Sequence, residues 1–512
     1  MREWNLGAWL RPGLLAAALA LLAGCVATPI SNERKITGQD GAVILRLISN
    51  GASAGDPTET LSNIVIKRVQ PPGEREVASD VVTLVRTRAL TNTTGVFSGM
   101  LAPGRYTFSH ATGHAGNMTY TFPIGGMLSG FEVKTGEVSL LGTLLVQPTP
   151  GQRFVVGYVP PDSELRETFE LLFPALAEQT RGKPVNTLQP TSEMTRRTEL
   201  APRFKLMPSV VNGFTQATQG GFYAGGKIGK VMWRPAGETR WHRADLGTWR
   251  EVLTLRPYRG GLIAGGEEGL LRYSADNGKT WTALTPPDKA LIHTLEVMPS
   301  GKLVALVLRD GQWTAYGSDD ALTGAWRKLA SFANERSINV AWQLPVPLTV
   351  GSKVGVAMPN GSLCFVDGET GALECSSTGQ SLLGASALPD GTLIAQSVLV
   401  VRTTHMSTDM GKTWKDLNTS RFVTAIAFVD RQKAYAVAPI APGVFPGDYG
   451  LMASRDGGRT WAQSGSLPEG GTKPTNVREL TIDRADGALV ALLHNGTLMR
   501  STDEGKTWTR DL

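Results

Sequence analysis

One eight-residue phrase, S-x-D-x-G-x-T-W, occurs four times in the second half of the chain, as SADNGKTW from Ser274, STDMGKTW from Ser407, SRDGGRTW from Ser454 and STDEGKTW from Ser501. The last three tryptophans, Trp414, Trp461 and Trp508, stand 47 residues apart, and Trp281 precedes Trp414 by 133 residues, about three such periods. A period in the forties with a turn-and-tryptophan signature confines the chain to a radial or stacked repeat architecture. The phrase has the chemistry of a tight hairpin. Asp276, Asp409, Asp456 and Asp503 offer side-chain bonds to the backbone, and Gly278, Gly411, Gly458 and Gly505 offer positive φ. The preceding serine adds a second local hydrogen bond, and Thr-Trp opens a strand whose indole covers the turn. These residues hold two strands together, and nothing in the phrase calls for a substrate.

Counting between the clear copies recovers eroded ones. Trp326 (GSDDALTGAW) falls 45 residues after Trp281 and keeps an acidic turn, while Trp241 (RPAGETRW) falls 40 residues before it. Between Trp326 and Trp414 lies FVDGETGALEC, with Gly371 in the turn and no tryptophan. The count is seven units of roughly 44 residues from about residue 205 onward. The last reads as four short strands, VRELTID, ALVALLH, TLMRS and TWTRDL, separated by ADG, NG and DEG turns. Seven such units close a ring with only short edges, a seven-bladed β-propeller. The repeated phrase resembles the Asp-box (bacterial neuraminidase) repeat of β-propellers. In the fourth unit Cys364 and Cys375 flank the DGETGA turn symmetrically. In an oxidising compartment they suit a cross-strand disulfide standing in for the tryptophan. Two free, buried thiols are the alternative.

The third cysteine, Cys25, follows a basic start (Arg2, Arg11) and an apolar run too short for a comfortable membrane span, which reads as an export signal over 1–24. Leu22-Ala23-Gly24-Cys25 resembles the bacterial lipobox, which implies that Cys25 is lipidated and opens the mature chain. Val26 follows without an inner-membrane retention aspartate, favouring the outer membrane in a Gram-negative host. Net charge is +6, of which Arg2, Glu3 and Arg11 contribute +1, and no Lys/Arg run suggests nucleic acid. Lipid on Cys25 is the one membrane anchor expected. Residues 25–40 read as a tether and 41–160, with nine strand-like runs between turn residues, as a β-sandwich. The stretch TGVFSGMLAPGRYTF resembles the closing hairpin of small carboxypeptidase-regulatory or prealbumin-like sandwiches. Within 161–202, residues 162–180 read as an amphipathic helix capped by Asp162 or Ser163, and 181–202 as a polar linker. The propeller occupies 203–512.

His110 and His114 form the one close histidine pair, in FSHATGHAGN, without a neighbouring Cys or carboxylate to complete a metal shell; they read as solvated loop residues, and no metal or cofactor is expected. The Asp-box resemblance raises one enzyme class, the sialidases. That family grips a carboxylate with three arginines, uses a Tyr-Glu nucleophile pair and an acid/base Asp, and carries Arg-Ile-Pro near the start of the propeller. Here the corresponding stretch, PRFKLMPS (202–209), departs from that motif. Arg250, Arg336, Arg421 and Arg478 each stand just before the innermost strand of a blade, on connections that line one face of a propeller, where four guanidinium groups would form an anion-attracting ring. Glu251, Glu335 and Glu479 adjoin three of them, so local salt bridges are the competing reading. The long sixth-unit loop, APIAPGVFPGDYG (438–450), offers Phe445, Asp448 and Tyr449 as a second candidate surface, or as residues packed back over the blade. The chain is therefore read as an all-β envelope lipoprotein whose propeller is a non-enzymatic platform for a protein partner. The alternative is a sialidase-like glycoside hydrolase or a glycan-binding lectin using the arginine face.

Overall fold

A computed structural model describes residues 25–511, apart from 32, 37, 52–60, 74, 76, 92–93, 116–117, 150–152, 208–214, 217–219, 335–344, 399–401, 418–422, 442–446, 471–476 and 494–495. The signal-like segment 1–24 lies outside them. The chain divides into two compact units. One comprises the chain up to Phe204 apart from two short segments; the other comprises Lys205–Leu512 together with those segments, Asn50–Ala54 and Leu90–Asn92. No described helix is long and apolar enough to cross a membrane.

In the first unit the expected sandwich strands join one hydrogen-bonded sheet of eleven strands, eight of them along a single path. Gly41–Ser49 lies third along that path, antiparallel to Thr94–Leu101 and parallel to Val138–Thr149. One core gathers side chains from almost every strand, including Val43, Leu45, Ile64, Leu84, Phe97, Phe108, Phe131 and Leu141. The expected tether is built into this unit: Cys25–Val26 pairs in parallel with Val82–Thr83, and Ala27, Ile30 and Ile36 are buried. Their apolar side chains gain more by packing than by staying solvated. His110 and His114 lie in the strand Gly104–Ala115, not in a loop, because the strand extends through a hairpin with Met118–Pro123.

The expected single helix is two. Helix α1 (Ser163–Leu172) starts where Asp162 accepts a hydrogen bond from the Leu165 amide. It stops at Phe173, before Pro174 opens α2 (Pro174–Gln179), since the residue preceding a proline is pushed out of helical space. The expected linker contains a third helix, α3 (Ser192–Phe204), which buries Met194, Arg197, Ala201 and Phe204. Arg197 is held there by the carbonyls of Met127 and Val156, so a polar segment is anchored through a charged residue.

The second unit contains seven four-stranded antiparallel sheets in strict sequence order, from Thr215–Gln216 to Thr509–Arg510, as the repeat count predicts. Seven blades of a β-propeller result. Every adjacent pair shares an apolar cluster. Tyr223 and Trp233 of the first blade, for example, pack on Val252, Leu255 and Leu262 of the second, and Phe222 and Trp241 pack on Val490 and Leu492 of the seventh. The ring closes without exchanging a strand. Buried Arg234, on the third strand of the first blade, meets Asp483 of the seventh at 2.7 Å and Asp511 at 3.9 Å, and Trp241 Nε1 donates to Asp511. The Arg234 guanidinium also lies over the rings of Phe222 and Trp241.

The S-x-D-x-G-x-T-W turns repeat one hydrogen-bond scheme. In the second blade Ser274 Oγ donates to Asp276 and accepts from the Gly278 amide, both at 2.8 Å. Asp276 also accepts from the Thr280 amide (2.8 Å) and hydroxyl (2.6 Å), and Trp281 Nε1 donates to the Gly278 carbonyl. The copies at Ser407, Ser454 and Ser501 match it bond for bond, except that Trp508 donates to Ser466 O of the neighbouring blade. The threonine hydroxyl, followed by its amide, holds each aspartate at about 2. The fourth blade lacks this turn, and there Cys364 and Cys375 are directly opposed and bonded, with Cα atoms 4.2 Å apart. The bridge closes a loop with sequence separation 11, so Cys364→Ser/Cys375→Ser is expected to lower the unfolding free energy by about 2–3 kcal/mol in urea titrations.

Candidate functional site

Strand order divides the connections of the ring between two rims. Hairpins joining first to second and third to fourth strands lie at one rim, which carries all the repeated turns. Hairpins joining second to third strands, and the links between blades, lie at the other, the connection rim. Loops on a rigid scaffold are where binding chemistry concentrates.

Of the four arginines expected around the connection rim, Arg250 and Arg478 fall within the described residues; Arg336 and Arg421 lie outside them. Arg250 is half-buried, and its Nε donates to Glu268 Oε2 at 2.9 Å. Glu268, not a neighbour in sequence, is thus a partner of Arg250, and the amide of Glu251 donates to Glu267 Oε2. Arg478 lies half-buried within the innermost strand Val477–Ile482 of the seventh blade rather than ahead of it. A free four-guanidinium ring is therefore not what these two residues form.

Glu267 and Glu268 belong to a turn the sequence repeats and that escaped notice: AGGKIG (224–229) in the first blade and AGGEEG (264–269) in the second. In both turns the fifth residue, Ile228 or Glu268, has φ near +51°. The glycines permit close approach, since a Cβ on Gly225 would lie 2.2 Å from Val252 O and one on Gly266 2.1 Å from Glu251 O. The charged residues of these turns are engaged internally: buried Lys227 donates to Gly51 O, and Glu267 accepts from Thr91 Oγ1. Nearby, Lys205 donates to Ile228 O and stands over the Trp249 ring, and burial pulls Lys230 down to about 8.

In the sixth blade, Phe445 lies outside the described residues. Asp448 is exposed, and its carbonyl accepts from the Ile440 amide at 3.0 Å. Tyr449 is not displayed: it opens the third strand opposite Pro439 and is 7% exposed, and burial raises its hydroxyl pKa. The alternation of that strand turns Tyr449 into the interface with the seventh blade. Ile440, which sequence reading passed over, is 42% exposed at the base of the same loop.

A second constellation lies in the fifth blade. His405 Nε2 is 2.6 Å from Ser397 Oγ, its Nδ1 is 2.6 Å from Asp416 Oδ1, and Ser397 Oγ is 2.7 Å from the Gln380 amide oxygen. These are the distances of a base-activated serine. Ser397 is 1% exposed and His405 3%, however, so the serine has no opening for an acyl substrate. The network satisfies buried polar atoms across three strands. Among the described residues no group of three or more His, Cys, Asp or Glu side chains is placed to hold a metal ion.

Cavities lined by described residues include two in the propeller. One, of about 300 Å³, is lined by Val423, Ala438, Pro439, Met452, Arg459 and Trp461 in the sixth blade. The other, of about 390 Å³, lies at the rim of repeated turns around the second blade and includes Tyr223, Trp233, Tyr258, Arg259 and Asn277.

No protein-family profile and no curated protein matches the sequence. Among solved structures, the chain is similar to YCF48 bound to D1 peptide, with 16% identity over 57% of this chain and 92% of that one and a TM-score of 0.43. It is also similar to BamB from Moraxella catarrhalis, with 15% identity over 59% of this chain and 85% of that one and a TM-score of 0.37. The GH74 enzyme of Niastella koreensis shows 14% identity over 82% of this chain and 58% of that one, with a TM-score of 0.41. At these identities the likeness is one of fold.

Proposed function

We propose that this chain is an envelope lipoprotein, anchored through lipid on Cys25 in the outer membrane, whose propeller docks a protein partner without catalysing a reaction. The observation that carries the docking reading is the base of the sixth-blade loop. Pro439 and Tyr449 are paired in register, and Ile440 and Asp448, next to that pair, are both exposed. An exposed aliphatic residue beside a charge on a long, rigidly mounted loop is a protein-contact surface more than a sugar clamp. The pairing of Arg250 with Glu268 argues against the sialidase-like alternative, because a guanidinium already bonded to a carboxylate is a poorer anchor for another.

A photo-crosslinking residue placed at Ile440 in the full-length lipoprotein in cells tests the reading. A discrete protein adduct is expected there and not at exposed Lys279 on the opposite rim. Replacing 441–447 with Asn-Gly, which keeps the probe at 440, should abolish the adduct while leaving the thermal midpoint nearly unchanged. Turnover of a fluorogenic sialoside by the purified protein, lost in Arg250→Ala, would overturn it. Mass analysis of the N-terminal peptide tests the anchor separately: diacylglyceryl-modified Cys25 is expected, and none in Cys25→Ser.

A further inference from the structure

The end of the first unit that carries Cys25 also carries an apolar surface. Cys25–Val26 is itself a strand of the sheet, paired in parallel with Val82–Thr83, so no length of free chain separates Cys25 from the folded unit. Strand register gathers other connections at the same end. Lys67 pairs with Val81 and Arg68 with Tyr106, which places there the turn that follows Arg68 and the turn that precedes Gly104. Between Cα atoms, Cys25–Val26 comes within 8 Å of the Ala78–Asp80 turn.

One buried carboxylate ties this end together. Asp80, 3% exposed, accepts from the Val77 amide at 2.7 Å and from the side-chain amide of Gln70, and the Val69 amide donates to Arg105 O at 2.8 Å. The chain at Val69–Gln70 and at Val77 is therefore held close to one point. Both valines nevertheless stay outside the core, at 48% and 53% exposure, and Val26 is 59% exposed. Among the described residues of the first unit, these three are all of the exposed large apolar side chains, and they share the end that carries Cys25. Apolar residues exposed singly are ordinary; their confinement to one end is not.

We propose that this end of the first unit rests in the interfacial layer of a lipid bilayer, with Val26, Val69 and Val77 as its apolar contacts. The inference rests on the lipid anchor at Cys25 proposed above. Acyl chains on a residue that is already paired into the sheet hold the surrounding surface against the headgroups, because no linker lets it move away. The valines there exchange water for lipid. Exposed Arg68, Arg75 and Arg105 lay their stems along the apolar layer and keep their guanidinium groups among the phosphates. In the sequence Lys67, Arg68 and Arg75 are balanced by Glu74, Glu76 and Asp80, so the contact is apolar before it is electrostatic.

With Cys25 acylated and Cys364 bonded to Cys375 the chain holds no free thiol, so a cysteine introduced at one position takes a nitroxide label alone. Val69→Cys, Val77→Cys and a control, Thr121→Cys, are labelled in the full-length lipoprotein and reconstituted into phosphatidylcholine vesicles. Thr121 is exposed and pairs with Thr112, which faces Asn63, five residues along the strand from Arg68. Power-saturation EPR then reads collisions with a water-soluble nickel chelate. The labels at 69 and 77 are expected to lose most of the nickel collisions that the label at 121 keeps, and to regain them in soluble, unanchored Cys25→Ser. Mass analysis of the N-terminal peptide from the same sample separates the two readings. Labels at 69 and 77 as open to nickel as the label at 121, on protein whose Cys25 carries lipid, would overturn this inference and leave the anchor standing. An unmodified Cys25 would remove the anchor and this inference with it. Protection that persists in Cys25→Ser without vesicles would place the valines against protein and overturn the bilayer contact.

Discussion

Asp483→Asn is expected to lower the unfolding free energy by about 3–5 kcal/mol, the largest effect of any single substitution considered for the propeller. The reason lies in where the ring closes. Seven blades built in chain order leave the first and last without a shared strand, and the charged part of their closure converges on Asp483. Arg234 is 2.7 Å from it with both side chains nearly fully buried, and Arg500 reaches it at 3.3 Å. Asparagine preserves the shape and the oxygen that accepts from the Ala485 amide in the turn, so the local hairpin survives. What is lost is the charge, leaving a buried guanidinium facing a neutral amide. Asp511, at 3.9 Å from Arg234, and Asp486, bonded to Arg500, offset part of the loss and place the outcome toward the lower bound. Arg234→Met tests the assignment. Removing both charges should be less damaging than Asp483→Asn alone, since a buried pair replaced by apolar volume often costs little. The double-mutant cycle, read by urea denaturation, should show a coupling of about 1–3 kcal/mol. Additive effects would mean that the two residues do not close the ring together.

The propeller was legible because its signal is concentrated. One phrase places the capping serine, the aspartate, the left-handed glycine and the covering tryptophan at fixed offsets, and every bond it implies is present. The residue before that glycine is left-handed as well, as Asn277, Met410 and Glu504 show; asparagine suits that region, whereas methionine and glutamate give no sign of it. Outside the repeats, legibility falls with the range of the deciding contact. Helix α3 looked like a linker because its composition is polar, although Met194, Arg197, Ala201 and Phe204 recur at helical spacing; what fixes Arg197 is a pair of carbonyls far along the chain. The partner of Arg250 is 18 residues away and arrives through a turn whose conformation depends on glycine. Whether Tyr449 is displayed or packed back stays open in the sequence because loop length says nothing about which residue resumes the ladder. Trp233 beside Tyr223 is a matter of register between two strands, and no local pattern specifies it.

Acid should loosen the propeller in two steps, and His293→Gln should remove the first. His293 sits, buried, at an irregularity in the innermost strand of the third blade, its ring edge-to-face with Trp313 at a centroid distance of 5.2 Å and Thr294 Oγ1 2.9 Å from its Nδ1. Desolvation pulls its pKa down to about 4, opposed by a hydrogen bond with the backbone of Pro345. The ring is therefore neutral in the folded state while an unfolded histidine titrates near 6.5. Between those values the unfolded chain binds more protons, so stability falls as pH drops from about 6.5 toward 4, by about 3 kcal/mol over the interval. The aspartates of the repeated turns act in a separate window. Their folded values near 2 lie below the ordinary 3.8, so their contribution is full above that value and is lost as pH falls toward 2. His293→Gln should thus flatten the difference between denaturation midpoints at neutral pH and at about pH 4.5, yet retain the steep loss below pH 4. A variant that loses stability between neutral pH and pH 4.5 as steeply as the parent would place the acid-sensitive group elsewhere. A variant insensitive down to pH 2 would show that the four hydrogen-bonded carboxylates do not hold the blades.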